Sequence, residues 1–292
     1  MKTNRKSVAV DYLVFVAPVL LLFSVFFLFP FFMGGLYSLT NWDGVRPNLN
    51  FVGFDNYLSL LTDSDYLSIF TFTVGFVLLN VLLTLFSGFL LALVLEQGSR
   101  SNRVLRILFF LPNILSPLVA GFVWTFMFNS VLPNVGQVLN WPLQDIRLLA
   151  DPATAFGALV GVSFWQSLGY VMIIYVAGLN TLDKSVLESV MLEGAGAWTR
   201  IRFIVLPLIM PAITVNLFWL LSQSFRLFDL NLALTGGGPG KSTTAMALDI
   251  YRDGFARNQM GSGSAKAMVL FLLVFVVTLV QLRITKSREV SQ

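Results

Sequence analysis

The most informative stretch of this sequence is residues 185–211, SVLESVMLEGAGAWTRIRFIVLPLIMP, which lies between two long apolar segments. Its first apolar residues recur at helical spacing and predict a short amphipathic helix over 185–193. Gly194 is expected to end that helix, because glycine adopts the left-handed backbone conformation that a helix terminus often needs. Pro207 then begins the next apolar segment, where a missing N–H costs least. The stretch is therefore predicted to be structured, although composition alone does not distinguish it from an ordinary loop.

The order of residues in this stretch resembles the cytoplasmic coupling loop of ABC importer permeases. The family pattern is Glu-Ala-Ala, three residues, Gly, nine residues, then Ile-x-Leu-Pro. The matching positions are Glu188, Gly194, Ile204, Leu206 and Pro207. Ser189 and Val190 replace the two alanines, and Glu193 stands where the family usually has Asp. The resemblance implies contact with an ATPase through Glu188, Glu193, Gly194, Ala195, Gly196, Leu206 and Pro207.

Composition places the chain in a membrane. Of its 292 residues 56% are hydrophobic and only 12% are charged, whereas soluble domains carry roughly twice that charged fraction. Six apolar runs are long enough for a bilayer core that needs roughly twenty helical residues. We therefore predict an all-α integral membrane protein of six transmembrane helices, with a cytoplasmic coupling helix between helices 4 and 5. The predicted single domain covers 1–292, with a coupling loop at 183–206 and spans at about 12–39, 66–95, 106–128, 153–179, 207–234 and 265–284.

The distribution of basic residues predicts the orientation. Twelve of the 19 Lys and Arg residues fall in segments that are inside if both termini are cytoplasmic, and six fall outside. This excess favours cytoplasmic termini in a multi-pass protein of a bacterial or archaeal cytoplasmic membrane. A cleaved signal peptide is disfavoured because the first apolar run is too long and lacks a small-residue cleavage site. The basic residues flank apolar runs, so no nucleic-acid partner is expected.

The absence of Cys and His limits the chemistry available to the chain. Thiolate and imidazole catalysis and the usual zinc ligands are excluded, so we expect no catalytic residue and no metal site.

The segment 234–244, LTGGGPGKSTT, superficially resembles a phosphate-binding loop, but Thr235 stands where that motif requires its first glycine. The glycines and the proline of this segment are also compatible with a simple flexible turn after a helix. The Leu-Thr-Gly-Gly-Gly-Pro run and residues 51–57, FVGFDNY, instead resemble features of carbohydrate permeases related to the maltose and glycerol-phosphate systems.

Polar residues inside the predicted spans are candidates for a substrate pathway, because such residues usually face the protein interior or a water-filled cavity. Trp219, Gln223 and Arg226 share one face of the fifth span. Arg226 and Asp229 are also candidates for a simple ion pair. In the fourth span, contact between helices is the competing interpretation for the candidates, since small and aromatic residues are common there. The predicted pathway residues are Trp219, Gln223, Ser224, Arg226, Asp229, Trp165, Gln166, Gly169 and Tyr170.

These features predict one transmembrane subunit of an ATP-driven importer for a carbohydrate, or for a glycerol phosphate. The resemblance implies a second, homologous permease, two ATPase subunits that bind the ATP and Mg, and an extracytoplasmic substrate-binding protein. The chain itself is expected to bind no cofactor. An importer for polyamine, phosphate or a metal complex remains an alternative, as does a secondary sugar carrier, although no clear internal repeat favours the latter. An intramembrane enzyme would lack the acid–base groups that it needs.

Overall fold

A computed structural model describes residues 5–96, 98–139, 147–183, 185, 189–191, 193–194 and 196–287, with side chains from residue 14 onward. The structure is 79% helix. Within the described ranges, β structure is limited to one antiparallel bridge between Thr40 and Phe51. The prediction of an all-α membrane protein is confirmed. The helices are α1 (Arg5–Phe23), α2 (Phe29–Tyr37), α3 (Asp55–Thr62), α4 (Ser64–Leu95), α5 (Arg100–Ile114), α6 (Pro117–Phe126), α7 (Leu132–Val138), α8 (Pro152–Asn180), α9 (Ala197–Arg200), α10 (Leu206–Leu208), α11 (Met210–Phe225), α12 (Asp229–Leu234), α13 (Met246–Tyr251) and α14 (Met260–Lys286).

Among the described residues, helices long and apolar enough to cross a membrane occur in five places, or in six if one bent pair of helices is counted as a single span. In the described part of the chain the five are Val14–Tyr37, Ser64–Leu95, Pro117–Val138, Pro152–Asn180 and Met260–Lys286. The bent pair is Ala197–Leu208 with Met210–Phe225. Contacts group the chain into two compact units, Met1–Asp63 with Ile250–Val269 and Ser64–Asp249 with Leu270–Gln292. The single-domain assignment of 1–292 stays a prediction.

The first unit contains the first membrane helix and, later in the chain, a cluster of charged side chains around a buried aspartate. A π-helical turn, Ser24–Leu28, joins α1 to α2 without interrupting the apolar run. Later in the chain the buried Asp253 receives a salt bridge of 2.6 Å from Lys266 Nζ, and a second one from Arg257. Because a buried carboxylate is costly unless paired, this cluster fixes the turn that precedes α14.

The second unit is built around α4 and α8, which run side by side. The helix α11 packs against both, α5 packs against α8, and α6 packs against α12. Their shared core is apolar and fully buried; its largest members include Phe76, Leu159, Met172, Ile209 and Leu220. Neighbouring helices approach closely where glycine or alanine occupies the contact, which is how membrane helices commonly pack. A Cβ on Gly88 of α4, for example, would lie 2.7 Å from Val171 Cγ1 of α8.

The predicted third span, 106–128, is divided in the structure. Its first part belongs to α5, and α6 starts anew at Pro117. Leu115 and Ser116 between them are extended, with ψ of 135° and 134°. The physical reason is that proline disfavours helical backbone in the residue before it and cannot donate a helical N–H.

The predicted fifth span, 207–234, is also divided. The chain bends by 72° between the Ala197–Leu208 segment and α11, at Ile209, because Pro211 has no N–H to donate to the carbonyl of Pro207. A second break follows Phe225, and α12 starts only at Asp229. The prediction of a single span over 207–234 did not include either interruption.

Replacing Gly169 by alanine is expected to destabilise the protein. A Cβ there would lie 2.0 Å from Phe109 O of α5, a backbone atom that cannot move away independently. Overpacking of this kind costs roughly 1–3 kcal/mol. Thermal unfolding in detergent should show a lower Tm for Gly169→Ala. The matched control is Gly161→Ala on the same helix, where a Cβ meets nothing within 4 Å. Equal Tm values for the two variants would contradict the close approach of α5 and α8.

Candidate functional site

A cavity of about 600 Å³ opens within the second unit, between α4, α8 and the two interrupted helices. Seven of the predicted pathway residues lie in its wall: Gln166, Tyr170, Trp219, Gln223, Ser224, Arg226 and Asp229. The wall is completed by residues that the sequence did not single out as pathway residues: Asn80, Asn113, Leu115, Pro117, Ser163, Ser167, Leu227, Phe228 and Leu230. The cavity is large enough for a small ligand, since typical ligand pockets start near 300 Å³.

The helix interruptions form part of this wall. Leu115, at the break before α6, has a carbonyl oxygen that accepts a hydrogen bond of 3.2 Å from Gln166 Nε2. On another side, Leu227 and Phe228 occupy the break between α11 and α12. Non-helical backbone is tolerated at membrane depth where it is buried in protein or lines a water-filled cavity. Both breaks satisfy that condition, which supports a polar cavity at this position.

Two aromatic rings form a flat surface in the cavity. Tyr170 of α8 and Trp219 of α11 stack with ring centroids 4.1 Å apart and an angle of 25° between the planes. Stacking of each ring on the other restricts both side chains and holds their positions. A rigid aromatic surface of this kind suits a ligand with an apolar face, such as a sugar ring.

Arg226 is held beside the aromatic surface by its own helix end. Its guanidinium donates to Ser222 O at 3.1 Å and to Gln223 Oε1 at 2.8 Å. Among the described residues Arg226 makes no ion pair with Asp229, so the simple pairing considered for these two residues is not observed. The cavity therefore presents one cationic and one anionic group, Arg226 and Asp229, in addition to amides and hydroxyls.

Asn80 and Ser224 join α4 to α11 at the cavity wall. Asn80 Nδ2 donates to Ser224 Oγ at 2.9 Å, and both side chains are buried. Asn80 Oδ1 has no hydrogen-bond partner in the described part of the chain. An asparagine inside the apolar α4 was the sequence signal for this position, but a single polar residue does not reveal which helix it faces. Across the described residues no group of three His, Cys, Asp or Glu side chains is arranged to hold a metal ion.

Two predicted pathway residues lie elsewhere. Trp165 lines a separate, largely apolar pocket of about 330 Å³ with Trp124 and Phe128. Its ring meets that of Trp124 edge to face, with centroids 5.4 Å apart. Gly169 contacts the backbone of α5 and is absent from the cavity wall. Helix packing, the alternative interpretation of the fourth span, is what the structure shows for Gly169.

The segment that resembles a coupling loop exposes large apolar side chains. Met191, Trp198 and Phe203 are 49%, 70% and 64% exposed. Gly194 has φ of +78°, the left-handed conformation predicted for the helix end. Glu188 and Ala195 lie outside the described residues. The other predicted coupling residues are placed as follows: Glu193 and Gly194 in an exposed turn, Gly196 immediately before α9, and Leu206 and Pro207 in α10.

Asp183 orders the start of this segment. Ser185 N–H donates to Asp183 Oδ1 at 2.9 Å. This bond holds the pKa of the Asp183 carboxyl below its ordinary value. The carboxylate is therefore ionised at neutral pH, and its stabilising effect is present above the ordinary pKa of Asp and disappears only as the pH falls through the lowered value.

Comparison with known proteins identifies the family. The family described as "Binding-protein-dependent transport system inner membrane component" matches residues 84–289. The chain belongs to this family. Such permeases are multi-pass membrane proteins that work with a substrate-binding protein, and they are not themselves catalytic.

Relatives of this permease match along nearly the whole chain. A probable starch degradation products transport system permease protein of Thermoanaerobacterium thermosulfurigenes is 36% identical, over 96% of this chain and 95% of the relative. A multiple sugar-binding transport system permease protein of Streptococcus mutans is 32% identical, over 93% of each chain. An sn-glycerol-3-phosphate transport system permease protein of Shigella flexneri is 32% identical, over 94% of this chain and 93% of the relative.

Solved structures show the same fold for this permease. A chain of a bacterial ABC transporter involved in the import of the acidic polysaccharide alginate superposes with a TM-score of 0.80. The superposition covers 97% of this permease and 98% of that chain at 22% identity. At that identity the similarity shows the fold alone.

The cavity of the permease is expected to contain water. A cysteine replacing the exposed, cavity-lining Gln223 should react at least several-fold faster with a small hydrophilic thiol reagent than one replacing Phe218, which is 45% exposed on the same helix but outside the cavity wall. The physical reason is that the reactive thiolate forms in water and is disfavoured in apolar surroundings. The chain has no native cysteine, so each rate reports one position. Faster labelling at position 218 would contradict an aqueous cavity.

Proposed function

We propose that this permease is one of two homologous membrane subunits of an ATP-driven importer for a carbohydrate. Two ATPase subunits bind the ATP and Mg, a substrate-binding protein delivers the ligand from outside, and this chain binds no cofactor of its own. Both termini lie in the cytoplasm in this proposal, which is supported by the excess of basic residues in the segments that would then be inside. The proposal applies to a bacterial or archaeal cytoplasmic membrane.

The cavity wall is the observation that carries the carbohydrate assignment. Tyr170 and Trp219 supply a stacked aromatic surface, and amides, hydroxyls and a guanidinium surround it. This combination suits a polyhydroxylated ligand, because hydroxyl groups need donors and acceptors while the ring face needs apolar contact. The sugar transport named for two relatives at 32–36% identity supports the same assignment.

A phosphorylated polyol is the second candidate. It is favoured by the relatives named for sn-glycerol 3-phosphate and by Arg226, since guanidinium groups bind phosphate well. In this structure the Arg226 side chain is already bonded to Gln223 Oε1, and the Asp229 carboxylate lies in the same wall. An anionic ligand would meet that carboxylate, so we favour a neutral sugar. Among the described residues of the wall, a polyamine would meet one acidic group, Asp229, together with the cationic Arg226.

Coupling to the ATPases is proposed to act through the exposed segment before α11. Apolar side chains such as Trp198 and Phe203 offer a surface for a cleft on the ATPase. The chain continues from this segment into α11, which carries Trp219, Gln223 and Ser224. Closure of the ATPases would therefore move a helix that also forms the cavity wall. Such a two-state element, biased from both ends, is what coupling between distant sites requires.

Uptake by the reconstituted complex tests the substrate class. Proteoliposomes containing both permeases and the ATPases, supplied with the binding protein, should accumulate at least one member of a panel of radiolabelled mono-, di- and trisaccharides in an ATP-dependent manner. Putrescine and inorganic phosphate should not accumulate. Uptake that needs an ion gradient but no ATP would contradict the proposal, as would uptake of putrescine alone.

In the same assay Trp219→Leu should raise the KM for the sugar, with Trp165→Leu as its matched control. Loss of the stacking surface costs about 0.5–1.5 kcal/mol, which corresponds to roughly a 2- to 10-fold change. Trp165 lies outside the cavity wall, so its replacement should leave the KM nearly unchanged. The reverse order of effects would place the ligand in the apolar pocket instead.

Crosslinking tests the coupling role. A single cysteine replacing the exposed Ala197, the first residue of α9, should crosslink to the ATPase with a yield that changes on addition of ATP. This cysteine should not be labelled by a membrane-impermeant maleimide that is added to cells and reaches only the outer face of the cytoplasmic membrane. A cysteine replacing Val45, which is 76% exposed, is the matched control and should be labelled from outside. Labelling of position 197 from outside, without a crosslink, would invert the topology and refute the proposed coupling.

A further inference from the structure

The short helix α3 carries an exposed apolar stripe. Phe54, Leu58 and Leu61 are spaced by four and three residues, so they lie on one face. Their exposed fractions are 70%, 59% and 70%. Asp55, Ser59 and Thr62, each one position further along the chain, form an adjacent exposed stripe that is polar. The helix is therefore amphipathic, and its apolar stripe is left uncovered next to the polar one.

The other side of α3 is firmly attached within the first unit. Asn56 Nδ2 donates to Ser38 O at 2.8 Å and to Thr40 O at 2.9 Å. The hydroxyl groups of Tyr57 and Ser38 are 2.6 Å apart and hydrogen-bonded. Leu60 is buried. These contacts fix the rotation of α3, so the exposure of the apolar stripe is a property of the fold.

Large apolar side chains are also exposed at the end of the first membrane helix and just after it. Phe32 and Leu36, in the last turns of α2, are 64% and 60% exposed. Phe51 is 76% exposed and pairs through its backbone with Thr40, three residues beyond the end of α2. The chain leaves one apolar helix at Tyr37 and starts the next at Ser64. A segment between two consecutive spans stays near one membrane surface.

The charge pattern indicates what kind of surface the stripe contacts. Residues 47–63 contain Asp55 and Asp63 and no Lys or Arg, and the adjacent Arg46 faces Asp43 at 3.6 Å. Attraction of α3 itself to anionic headgroups is therefore not expected. Tyr37 and Trp42, which precede this segment, contact each other with ring centroids 4.4 Å apart and an angle of 40° between the planes. Both residue types are typical of membrane–water interfaces. Binding of α3 to a membrane would therefore depend on insertion of its apolar side chains between the lipids.

We propose that α3 lies in the outer leaflet of the bilayer as an interfacial helix. Phe54, Leu58 and Leu61 enter the boundary between headgroups and acyl chains, and Asp55, Ser59 and Thr62 face the water. The hydrogen bonds that Asn56 and Tyr57 make with Ser38 and Thr40 connect α3 to the residues just after α2. The chain is thereby anchored at the outer surface by a hydrophobic, charge-independent contact with lipid, whatever solute it transports.

Depth-dependent fluorescence quenching tests this proposal. Leu58→Cys and Ser59→Cys are neighbours on the two stripes, and the chain has no other cysteine. Each is labelled with an environment-sensitive fluorophore in the complete complex, with cysteines removed from the partner subunits, in nanodiscs of phosphatidylcholine. We expect nitroxide-bearing lipid to quench the label at position 58 at least 3-fold more than the label at 59. Aqueous iodide should show the reverse preference.

Three results would overturn the proposal. Equal quenching of both labels by iodide would place the stripe in water. Protection of position 58 from both quenchers would mean that a protein covers it, either the second permease or, if protection needs its addition, the binding protein. A requirement for phosphatidylglycerol in the nanodisc would mean that charge holds the helix. Unchanged lipid quenching in phosphatidylcholine and in phosphatidylglycerol mixtures supports hydrophobic anchoring.

Discussion

Every backbone N–H and C=O at membrane depth needs a partner, and this constraint shapes the permease more than any single contact. Continuous helices meet it automatically, so each place where a helix stops needs a local remedy. The break before Pro117 leaves Leu115 O without a helical donor, and Gln166 supplies one. The break after Phe225 is occupied in part by Arg226, whose side chain returns to Ser222 O. Both interruptions adjoin the cavity, which is where an interruption costs least.

The cavity and the proposed coupling segment before α11 belong to one connected element. The helix α11 begins at a proline-induced bend and ends at the break beside the cavity. Along its length it packs against α4 and α8, and Gln223 and Ser224 lie near the end that borders the cavity. Asn80 and Ser224 link that end to α4. A displacement that begins at the bend therefore reaches the cavity wall without passing through a flexible joint.

The family and the helical architecture were predictable because they depend on features spread over many residues. Long apolar runs recur along the chain and predict its membrane helices, and the spaced pattern from Glu188 to Pro207 covers twenty positions. The cavity was predictable only in part. Helical spacing placed Trp219 and Gln223 together correctly, but Trp165 and Gly169 face other surfaces, because periodicity gives a face without identifying the neighbour.

The helix breaks show a second limit of sequence reasoning. Membrane helices often contain prolines without breaking, so Pro117 and Pro211 did not by themselves predict that the helices are interrupted. Whether a proline bends a helix depends on whether a neighbouring N–H or O–H group can donate to the carbonyl that proline leaves without a partner. Asn80 illustrates the same difficulty, since its role depends on Ser224, a residue 144 positions away in the chain.

The 72° bend at Ile209 has a mechanical meaning as well. At 1.5 Å per residue, Gln223 lies about 21 Å along the axis from the bend, so a tilt of about 10° there would displace it by about 4 Å. The bend is the fulcrum of a lever whose long arm ends in the cavity.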